Sequence, residues 1–499
     1  MKRPNILFIT SDQHRADHLG VEGLSAIHTP NLDRIAGEGI HFRRAYTPSP
    51  TCTPARVSML TGQWPSRHGA YTIGVTPDPF PSPTVADLLA AAGYRTALFG
   101  KSHFVSRRDE AAHMMEGSKE SPDEFFRRWS GPYAGFEEFR GSTGHTTNCV
   151  PDMHYRVFLE QSGASPEDLA RWFPIMAGSH HHQQCGPWDI PEHLHDTHWV
   201  AGLAEDYIRE AASRPEPWFL WASFQDPHEP FRCPEQWFSK VRTERMQIPE
   251  GYREGEFRDR HPIYQASYDC NTRAFDDEFP TPCTDGNREW TQRREVALQA
   301  TLGMVGFLDD RIGRLLATLE ETGQLDNTLI VYTSDHGEMH GHHGLWGKGA
   351  VAYEDCQRVP LLVLPPRAKT TNRSSDAIVN LVDLPATFLE VAGCRVPGSF
   401  QGRSLVPLME GGNDTSRTLT KVECRATKNL YQQTLVTQRY KLVVYSDSAE
   451  GEIYDLEEDP DQYRNLWREK PVLREELLLQ LVQHAMQHEG VLTTRRGFG

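Results

Sequence analysis

A run of five residues, Cys52 to Arg56, places a thiol, a proline and a guanidinium close together. Pro54 suits the first turn of a helix, where its missing N–H costs little. Thr53 is a candidate cap for that helix, which would continue through Leu60. Free N–H groups at the start of a helix favour the binding of an anion. The guanidinium group of Arg56 is permanently charged, and its paired N–H donors match the oxygens of sulfate or phosphate. The run predicts an anion site at Cys52, whereas an isolated cysteine in such a place would be a structural residue beside a turn.

Two polar pairs follow apolar runs: Asp12 with Gln13, and Asp335 with His336. Carboxylate and amide oxygens are hard ligands of the kind that Ca²⁺ and Mg²⁺ prefer. The one imidazole also permits Mn²⁺ or Zn²⁺ as the bound ion. A single aspartate after a strand is often only a turn or capping residue. Two such pairs in a chain that also carries the Cys52 run predict one divalent ion. We expect these four side chains and residue 52 to hold it, with Ca²⁺ first and Mn²⁺ second.

Four further residues are candidates for proton transfer and charge neutralisation. Lys101 and His103 are separated by one residue after an apolar run, so both can point into one pocket. His228 follows another apolar run, and the pKa range of histidine suits proton transfer near neutrality. Lys348 lies in a glycine-rich stretch, where a lone lysine is usually only solvated.

The elements that must position these residues alternate between apolar strands and helices. This alternation predicts an α/β fold with a mostly parallel central sheet covered on both faces. The candidate strands are Asn5–Thr10, Arg95–Phe99, Trp218–Phe224, Leu329–Thr333 and Pro360–Leu364. The candidate helices are Asn31–Glu38, Thr84–Ala92, Val200–Ser213 and Glu295–Thr322. Most of the chemical motifs follow a strand, and ligands of open α/β sheets bind just beyond the carboxyl ends of the strands.

The pattern of apolar and polar residues changes after about residue 415. This change predicts a catalytic domain over residues 1–415 and an α+β subdomain over residues 416–499. In the second part, Leu435–Tyr445 alternates like one strand and Glu452–Leu456 like another. Pro471–Glu489 is an amphipathic helix, so we expect a small antiparallel sheet with a helix.

Two stretches of low periodicity, residues 105–195 and 230–290, are predicted to be insertions. The segment Ser179–Cys185 contains three consecutive histidines, whose side chains cannot easily converge on one ion, so it is predicted to be a loop or a pocket wall. His340, His342 and His343 are expected to line the site or to contact its ligands from behind.

Composition excludes some classes of function. The net charge of −16, from 52 Lys and Arg against 68 Asp and Glu, argues against nucleic-acid binding as the main task. No segment is long enough to span a membrane, and the short apolar run near the start is predicted to be a strand and not a signal. Nine scattered cysteines indicate a reducing compartment and no disulfide framework. We expect a cytoplasmic protein.

The run Cys52-Thr53-Pro54-Ala55-Arg56 resembles the C-x-P-x-R sequence of the type I, formylglycine-dependent sulfatases of the alkaline phosphatase superfamily. Leu60-Thr61-Gly62 follows as in that family, although Ala55 stands where many members have Ser and Gln63 where many have Arg. Gly100–His103 resembles Gly-Lys-x-His, and Pro227–Pro230 resembles Pro-His-x-Pro. The Asp-Gln and Asp-His pairs are similar to those of choline sulfatases and phosphonate monoester hydrolases. The resemblance covers almost the whole chain.

This resemblance implies an alkaline-phosphatase-like fold and a role for each candidate residue. A formylglycine-generating enzyme would oxidise Cys52 to Cα-formylglycine, whose hydrate attacks the ester of a small anionic substrate. Arg56 and Lys101 would bind the nucleophile and the sulfate, and His103 would be the base that releases sulfate. His228 would protonate the leaving oxygen, with Lys348 as its electrostatic partner.

Three functions remain open at the level of the sequence. Sulfate ester hydrolysis is preferred, with phosphonate monoester or phosphodiester hydrolysis as the alternative at the same site. A non-catalytic anion-binding module that keeps a Cys52 thiol is disfavoured, because a degraded site should have lost charged residues and this one has not. The alcohol half of the substrate and assembly into a homo-oligomer are not specified.

Overall fold

A mostly parallel sheet of eight strands forms the centre of the protein in the computed structural model, which describes residues 3–75, 77, 80–81, 83–105, 123–142, 151–173, 185–269, 293–367, 373–412, 417–425 and 429–488. The strand order across the sheet is Arg373–Ser375, Ile40–Phe42, Leu361–Leu364, Thr328–Ser334, Asn5–Ser11, Trp218–Ser223, Arg95–Lys101 and Glu138–Ser142. Leu361–Leu364 runs antiparallel to both of its neighbours, and the other neighbouring pairs are parallel. The predicted fold class is confirmed.

The central strand Asn5–Ser11 is buried on both faces, which is why its sequence is a continuous apolar run. Ile6 and Phe8 belong to the core on one face of the sheet, and Leu7 and Ile9 belong to the core on the other. This strand lies between Thr328–Ser334 and Trp218–Ser223, so three of the predicted strands end side by side.

Helices pack on both faces of this sheet, and the helix Pro471–His488 packs on a second, smaller sheet. Within the described residues they are Pro30–Glu38, Cys52–Thr61, Pro65–His68, Val85–Ala91, Asp123–Arg128, Met153–Gln161, Pro166–Trp172, Asp196–Ala211, Glu235–Phe238, Pro262–Tyr268, Arg294–Glu321, Glu354–Gln357, Leu384–Val391, Val406–Met409 and Pro471–His488. The four predicted helices are present, but the one expected from Val200 begins at Asp196. It begins with the buried polar residues Asp196 and Thr197, which carry no apolar periodicity.

Two short strand pairs lie outside the large sheet. They are Ala45–Tyr46 with Val379–Asn380, and Gly186–Trp188 with Arg232–Pro234.

A separate antiparallel sheet contains the strands Leu419–Arg425, Tyr431–Thr437, Tyr440–Tyr445 and Glu452–Asp455. The expectation of one strand over Leu435–Tyr445 is wrong, because the chain turns at Gln438 and Arg439 into a hairpin. Thr437 Oγ1 accepts the N–H of Tyr440 at 2.9 Å and closes that turn. The last helix packs on this sheet through Leu477 and Leu481.

Polar contacts join this sheet to the rest of the protein. Lys441 Nζ, which is fully buried, lies 2.6 Å from Glu354 Oε1, and Glu423 accepts hydrogen bonds from the backbone and hydroxyl of Ser66 at 2.7 and 2.9 Å. The predicted boundary between residues 415 and 416 lies outside the described residues, as does the histidine run at 180–182.

None of the helices among the described residues has the length and apolar character needed to cross a membrane. The cysteines that the structure describes, Cys52, Cys185, Cys233, Cys356, Cys394 and Cys424, are all free of disulfide bonds.

Candidate active site

Cys52 is the first residue of the helix Cys52–Thr61, all of which is buried. The residue before it, Thr51, has extended backbone angles (φ −143°, ψ 143°) and is the N-cap, so the expectation that Thr53 caps the helix is wrong. Gly62 ends the helix with a φ of 64°, a value that favours glycine. The helix therefore places Cys52, 1% exposed, where its own free N–H groups favour an anion.

Strand ends bring three metal-ligand candidates to Cys52. His336 Nε2 lies 3.1 Å from Cys52 Sγ, 3.5 Å from Asp12 Oδ1 and 3.7 Å from Asp335 Oδ1. The four side chains offer ligand atoms that all lie within 4.8 Å of one another, and all four are buried. The neighbouring parallel strands Asn5–Ser11 and Thr328–Ser334 explain this convergence, because the motifs follow directly at the same edge of the sheet.

The donor set fits a divalent cation. His336 Nδ1 lies 2.9 Å from the Gly337 carbonyl oxygen, so in the neutral ring Nδ1 carries the proton and the Nε2 lone pair is directed at the cluster. Two aspartates with no exposed surface add oxygen ligands and negative charge. Burial lowers the pKa of His336, but the charges of Asp335 and Cys52 outweigh it and raise that pKa to about 8.

Gln13 lies beside the cluster, and its backbone has a left-handed φ of 67°. Its N–H donates to Asp335 Oδ1 at 3.2 Å. Its side-chain oxygen accepts a hydrogen bond from Lys348 Nζ, so this contact competes with ligation of a metal.

Arg56 lies behind the aspartates with no exposed surface. Its Nε donates to Asp335 Oδ2 at 2.8 Å, and Nη1 donates to the Lys101 carbonyl at 2.9 Å and to Ser223 Oγ at 2.8 Å. Nη2 lies 3.7 Å from Asp12 Oδ2. The guanidinium thus fixes the orientation of both carboxylates, a role that the sequence motif alone does not indicate.

Lys101 ends its strand and donates a hydrogen bond to Asp12 Oδ2 from a position that is 3% exposed. This ammonium, together with Arg56, holds the pKa of Asp12 well below its usual range, against the burial that would raise it. His103 is half-buried two residues farther on, with a left-handed φ of 52°.

His228 and Lys348 form a second group of contacts. Lys348 Nζ lies 2.6 Å from His228 Nε2, and His228 Nδ1 lies 2.6 Å from the backbone oxygen of Glu229. Burial and, less strongly, the Lys348 charge lower the pKa of His228 well below its usual value, while the Glu229 carboxylate opposes them. The imidazole is therefore neutral, with a proton on Nδ1 and a lone pair on Nε2.

Two glutamates that the sequence motifs do not single out flank Gln13. Its Nε2 donates to Glu229 Oε2 and to Glu338 Oε2. Burial, reinforced by the charge of Glu229, raises the pKa of Glu338 to about 7. Glu338 stands in Asp335-His336-Gly337-Glu338, and that proximity is the only signal for it in the sequence.

A buried polar cluster anchors the loop that carries His228. Asp226 Oδ2 accepts a hydrogen bond from Thr197 Oγ1 at 2.7 Å and lies 4.0 Å from His195 Nε2. His195 Nδ1 lies 2.8 Å from Asp196 Oδ1. The charges of Asp226 and Asp196 raise the pKa of His195, although burial acts first and in the opposite direction. These contacts fix the position of Asp226, which precedes His228 by two residues in the chain.

The three nearby histidines after His336 contact other groups. His340 Nε2 lies 3.1 Å from Thr301 Oγ1, His342 Nδ1 lies 3.0 Å from Asp355 Oδ2, and His343 Nδ1 lies 3.2 Å from Glu256 Oε2.

The fold and the site define an α/β protein of alkaline-phosphatase-like architecture, in which a cysteine at the start of a helix lies within a cluster of buried side chains that could hold a cation. The sulfatase family model matches residues 4–394, and a model described as N-sulphoglucosamine sulphohydrolase, C-terminal, matches residues 341–489. The chain belongs to the sulfatase family and is a sulfuric ester hydrolase.

Relatives of known name support this assignment. An arylsulfatase from Clostridium perfringens is 31% identical over 477 residues, covering 93% of this chain and 90% of the relative. A choline-sulfatase from Rhizobium meliloti is 29% identical over 477 residues, covering 93% of this chain and 82% of the relative. A phosphonate monoester hydrolase structure from Silicibacter pomeroyi matches with a TM-score of 0.79 and 24% identity over 99% of this chain and 100% of that one. The predicted resemblance is confirmed.

Proposed function

We propose that the protein hydrolyses sulfate esters through Cα-formylglycine made from Cys52. The observation that supports this most strongly is the convergence of Cys52 Sγ with Asp12, Asp335 and His336 at the start of a helix. In the encoded cysteine, Sγ marks where the oxygens of the hydrated aldehyde would lie. The same place has free helix N–H groups to receive the sulfuryl oxygens.

In the proposed reaction, one hydroxyl of the aldehyde hydrate gives its proton to water and attacks sulfur, and the bond from sulfur to the alcohol oxygen breaks. The departing oxygen takes a proton and leaves as the free alcohol. His103 then removes the proton of the second hydroxyl, the aldehyde re-forms and sulfate is released. One water molecule rehydrates the aldehyde and completes the balance.

A divalent ion held by Asp12, Gln13, Asp335, His336 and residue 52 would lower the pKa of the attacking hydroxyl and offset sulfuryl charge. Ca²⁺ is the first candidate because most of these donors are oxygens, and Mn²⁺ is second because of His336. Lys101 and Arg56 keep Asp12 ionised for this role, and Arg56 Nε orients Asp335 through a hydrogen bond.

His228 and Lys348 are the proposed donors on the leaving-group side. They contact each other, and Lys348 also contacts Gln13, whereas Lys101 contacts Asp12 and Arg56 contacts Asp335. Two separate sets of contacts suit a displacement in which the entering and leaving oxygens lie on opposite sides of sulfur. The neutral His228 must gain a proton on Nε2 before it can donate, and Lys348, in contact with that atom, is placed to neutralise the charge that develops on the leaving oxygen.

We further propose a cytoplasmic location, maturation by a formylglycine-generating enzyme and a homo-oligomeric assembly. The free cysteines among the described residues support the first of these proposals.

The test is turnover of matched aryl sulfate and aryl phosphonate monoesters by wild-type protein and the Cys52→Ala variant. We expect faster turnover of the sulfate and a loss of several orders of magnitude in the variant, because the covalent route is removed. Faster turnover of the phosphonate would move the preference to the alternative function. Retained turnover in Cys52→Ala would refute the proposed mechanism.

A further inference from the structure

Glu229 differs from the other acidic side chains around the metal-ligand cluster because part of it is open to solvent. Its side chain is 29% exposed, compared with 9% for the neighbouring His228 and 0% for Asp12 and Asp335. Oε2 accepts a hydrogen bond from Gln13 Nε2. The exposed fraction leaves part of this side chain accessible to a ligand.

The second glutamate on Gln13 cannot meet a ligand in this way. Glu338 has no exposed surface, and its Oε1 accepts the backbone N–H groups of His340 at 3.1 Å and Gly347 at 2.5 Å. Both glutamates therefore accept a hydrogen bond from the same amide, but of the two only Glu229 has surface open to solvent.

Glu229 lies beside the proposed route of the leaving group. Its Oε2 is 3.5 Å from His228 Nδ1, while Lys348 Nζ contacts His228 Nε2 on the other side of the ring. Glu229 Oε2 and Lys348 Nζ both contact the side chain of Gln13, so Glu229 also lies close to the side of the ring where the alcohol oxygen would be released. A carboxylate attracts N–H and O–H donors and repels another carboxylate.

We infer that Glu229 selects the alcohol half of the substrate. It favours alcohols and phenols that carry an amino group, or more weakly a hydroxyl group, near the ester oxygen, and it disfavours those that carry a carboxylate. This inference rests on the proposed function, because it needs the leaving oxygen to lie at His228.

The experiment uses three aryl sulfates of equal leaving-group pKa, with an aminomethyl, a hydroxymethyl or a carboxymethyl group at the same ring position. The measured quantity is the ratio of kcat/KM for the amino ester to kcat/KM for the carboxylate ester. Glu229→Gln keeps an oxygen that can accept from Gln13 but removes the charge. We expect this variant to lower the ratio about tenfold or more, because like charges in an interface are strongly disfavoured.

Glu338→Gln is the matched control, since Glu338 contacts the same amide and is fully buried. It should leave the ratio within about twofold of wild type, whatever it does to the absolute rates. Equal losses on all three esters in Glu229→Gln, with an unchanged ratio, would overturn the inference and make Glu229 a positioning residue for Gln13.

Binding to the unmodified Cys52 protein separates this inference from the proposed function. Calorimetry of the three intact esters needs no turnover, and the amino ester should bind tighter than the carboxylate ester by a ratio that falls in Glu229→Gln. If that ratio holds while the modified enzyme hydrolyses none of the esters, the proposed function fails and the selectivity stands. If the esters are hydrolysed but bind without preference for the amino group, only the inference fails.

Discussion

Replacing Arg56 by lysine tests whether the guanidinium holds the two aspartates in place. Arg56 has no exposed surface and makes three hydrogen bonds, to Asp335 Oδ2, the Lys101 carbonyl and Ser223 Oγ, at 2.8–2.9 Å. A lysine keeps the charge but is a flexible point donor, so we expect it to satisfy one of these acceptors and to lose two. A hydrogen bond to a charged group contributes about 1.5–3 kcal/mol, so the expected loss of unfolding free energy is about 3–6 kcal/mol.

Arg439→Lys is a suitable control for this variant. Arg439 also donates two hydrogen bonds to a carboxylate, from Nε and Nη2 to Asp455 Oδ2 at 2.9 and 2.8 Å. Its side chain, however, is 43% exposed. Exposed pairs contribute about 1 kcal/mol or less, so this variant should unfold nearly as wild type does. The assay is urea denaturation followed by tryptophan fluorescence, together with calorimetric Ca²⁺ binding. Equal stability losses in the two variants, or wild-type Ca²⁺ affinity in Arg56→Lys, would refute the proposed role.

Three further predictions follow from the site. His228→Ala should reduce turnover of high-pKa aryl sulfates far more than that of nitrophenyl sulfate, since protonation matters most for a poor leaving group; equal losses across the series would assign His228 to binding alone. His336 has a raised pKa of about 8 in the metal-free protein, so it must lose a proton to bind an ion. The Ca²⁺ affinity measured by calorimetry should therefore rise about tenfold per pH unit below that pKa and level off above it. A flat profile would exclude His336 as a ligand. Gly100 has a φ of 97°, and Gly100→Ala would bring a methyl group within 1.9 Å of the Ser223 carbonyl oxygen on the neighbouring strand. This variant should lower the melting temperature much more than Gly93→Ala, because nothing lies within 4 Å of a methyl group at Gly93. Similar losses in the two variants would contradict the close approach of the strands that carry Gly100 and Ser223.

The large sheet could be predicted from the sequence because its inner strands are buried on both faces. Asn5–Ser11 and Thr328–Ser334 have continuous apolar runs, and the residues that follow them carry the chemistry. The hairpin over Tyr431–Tyr445 was not predicted, because the Gln438-Arg439 turn contains no glycine or proline to mark it. Short edge strands such as Arg373–Ser375 carry too few residues to show a pattern.

The main charged residues of the site could be predicted from short motifs, but their contacts could not. The motif predicts that Arg56 faces the substrate anion, and the structure places most of its donors on Asp335, Lys101 and Ser223. Glu229 and Glu338 share Gln13 only because separate loops meet there, which no local pattern records. The buried set around His195 likewise depends on the approach of Asp226 from another part of the chain.

The state of residue 52 tests the central claim most directly. Protein made together with a formylglycine-generating enzyme should be digested, and the peptide that contains residue 52 should be weighed and compared with the aryl sulfatase activity of the same sample. Conversion of thiol to aldehyde lowers the mass by about 18 Da, whereas the competing oxidations of cysteine add mass. We predict that activity rises in proportion to the fraction of converted peptide and is absent from fully unconverted protein. Full sulfatase activity in a sample whose Cys52 remains entirely a thiol would contradict the account.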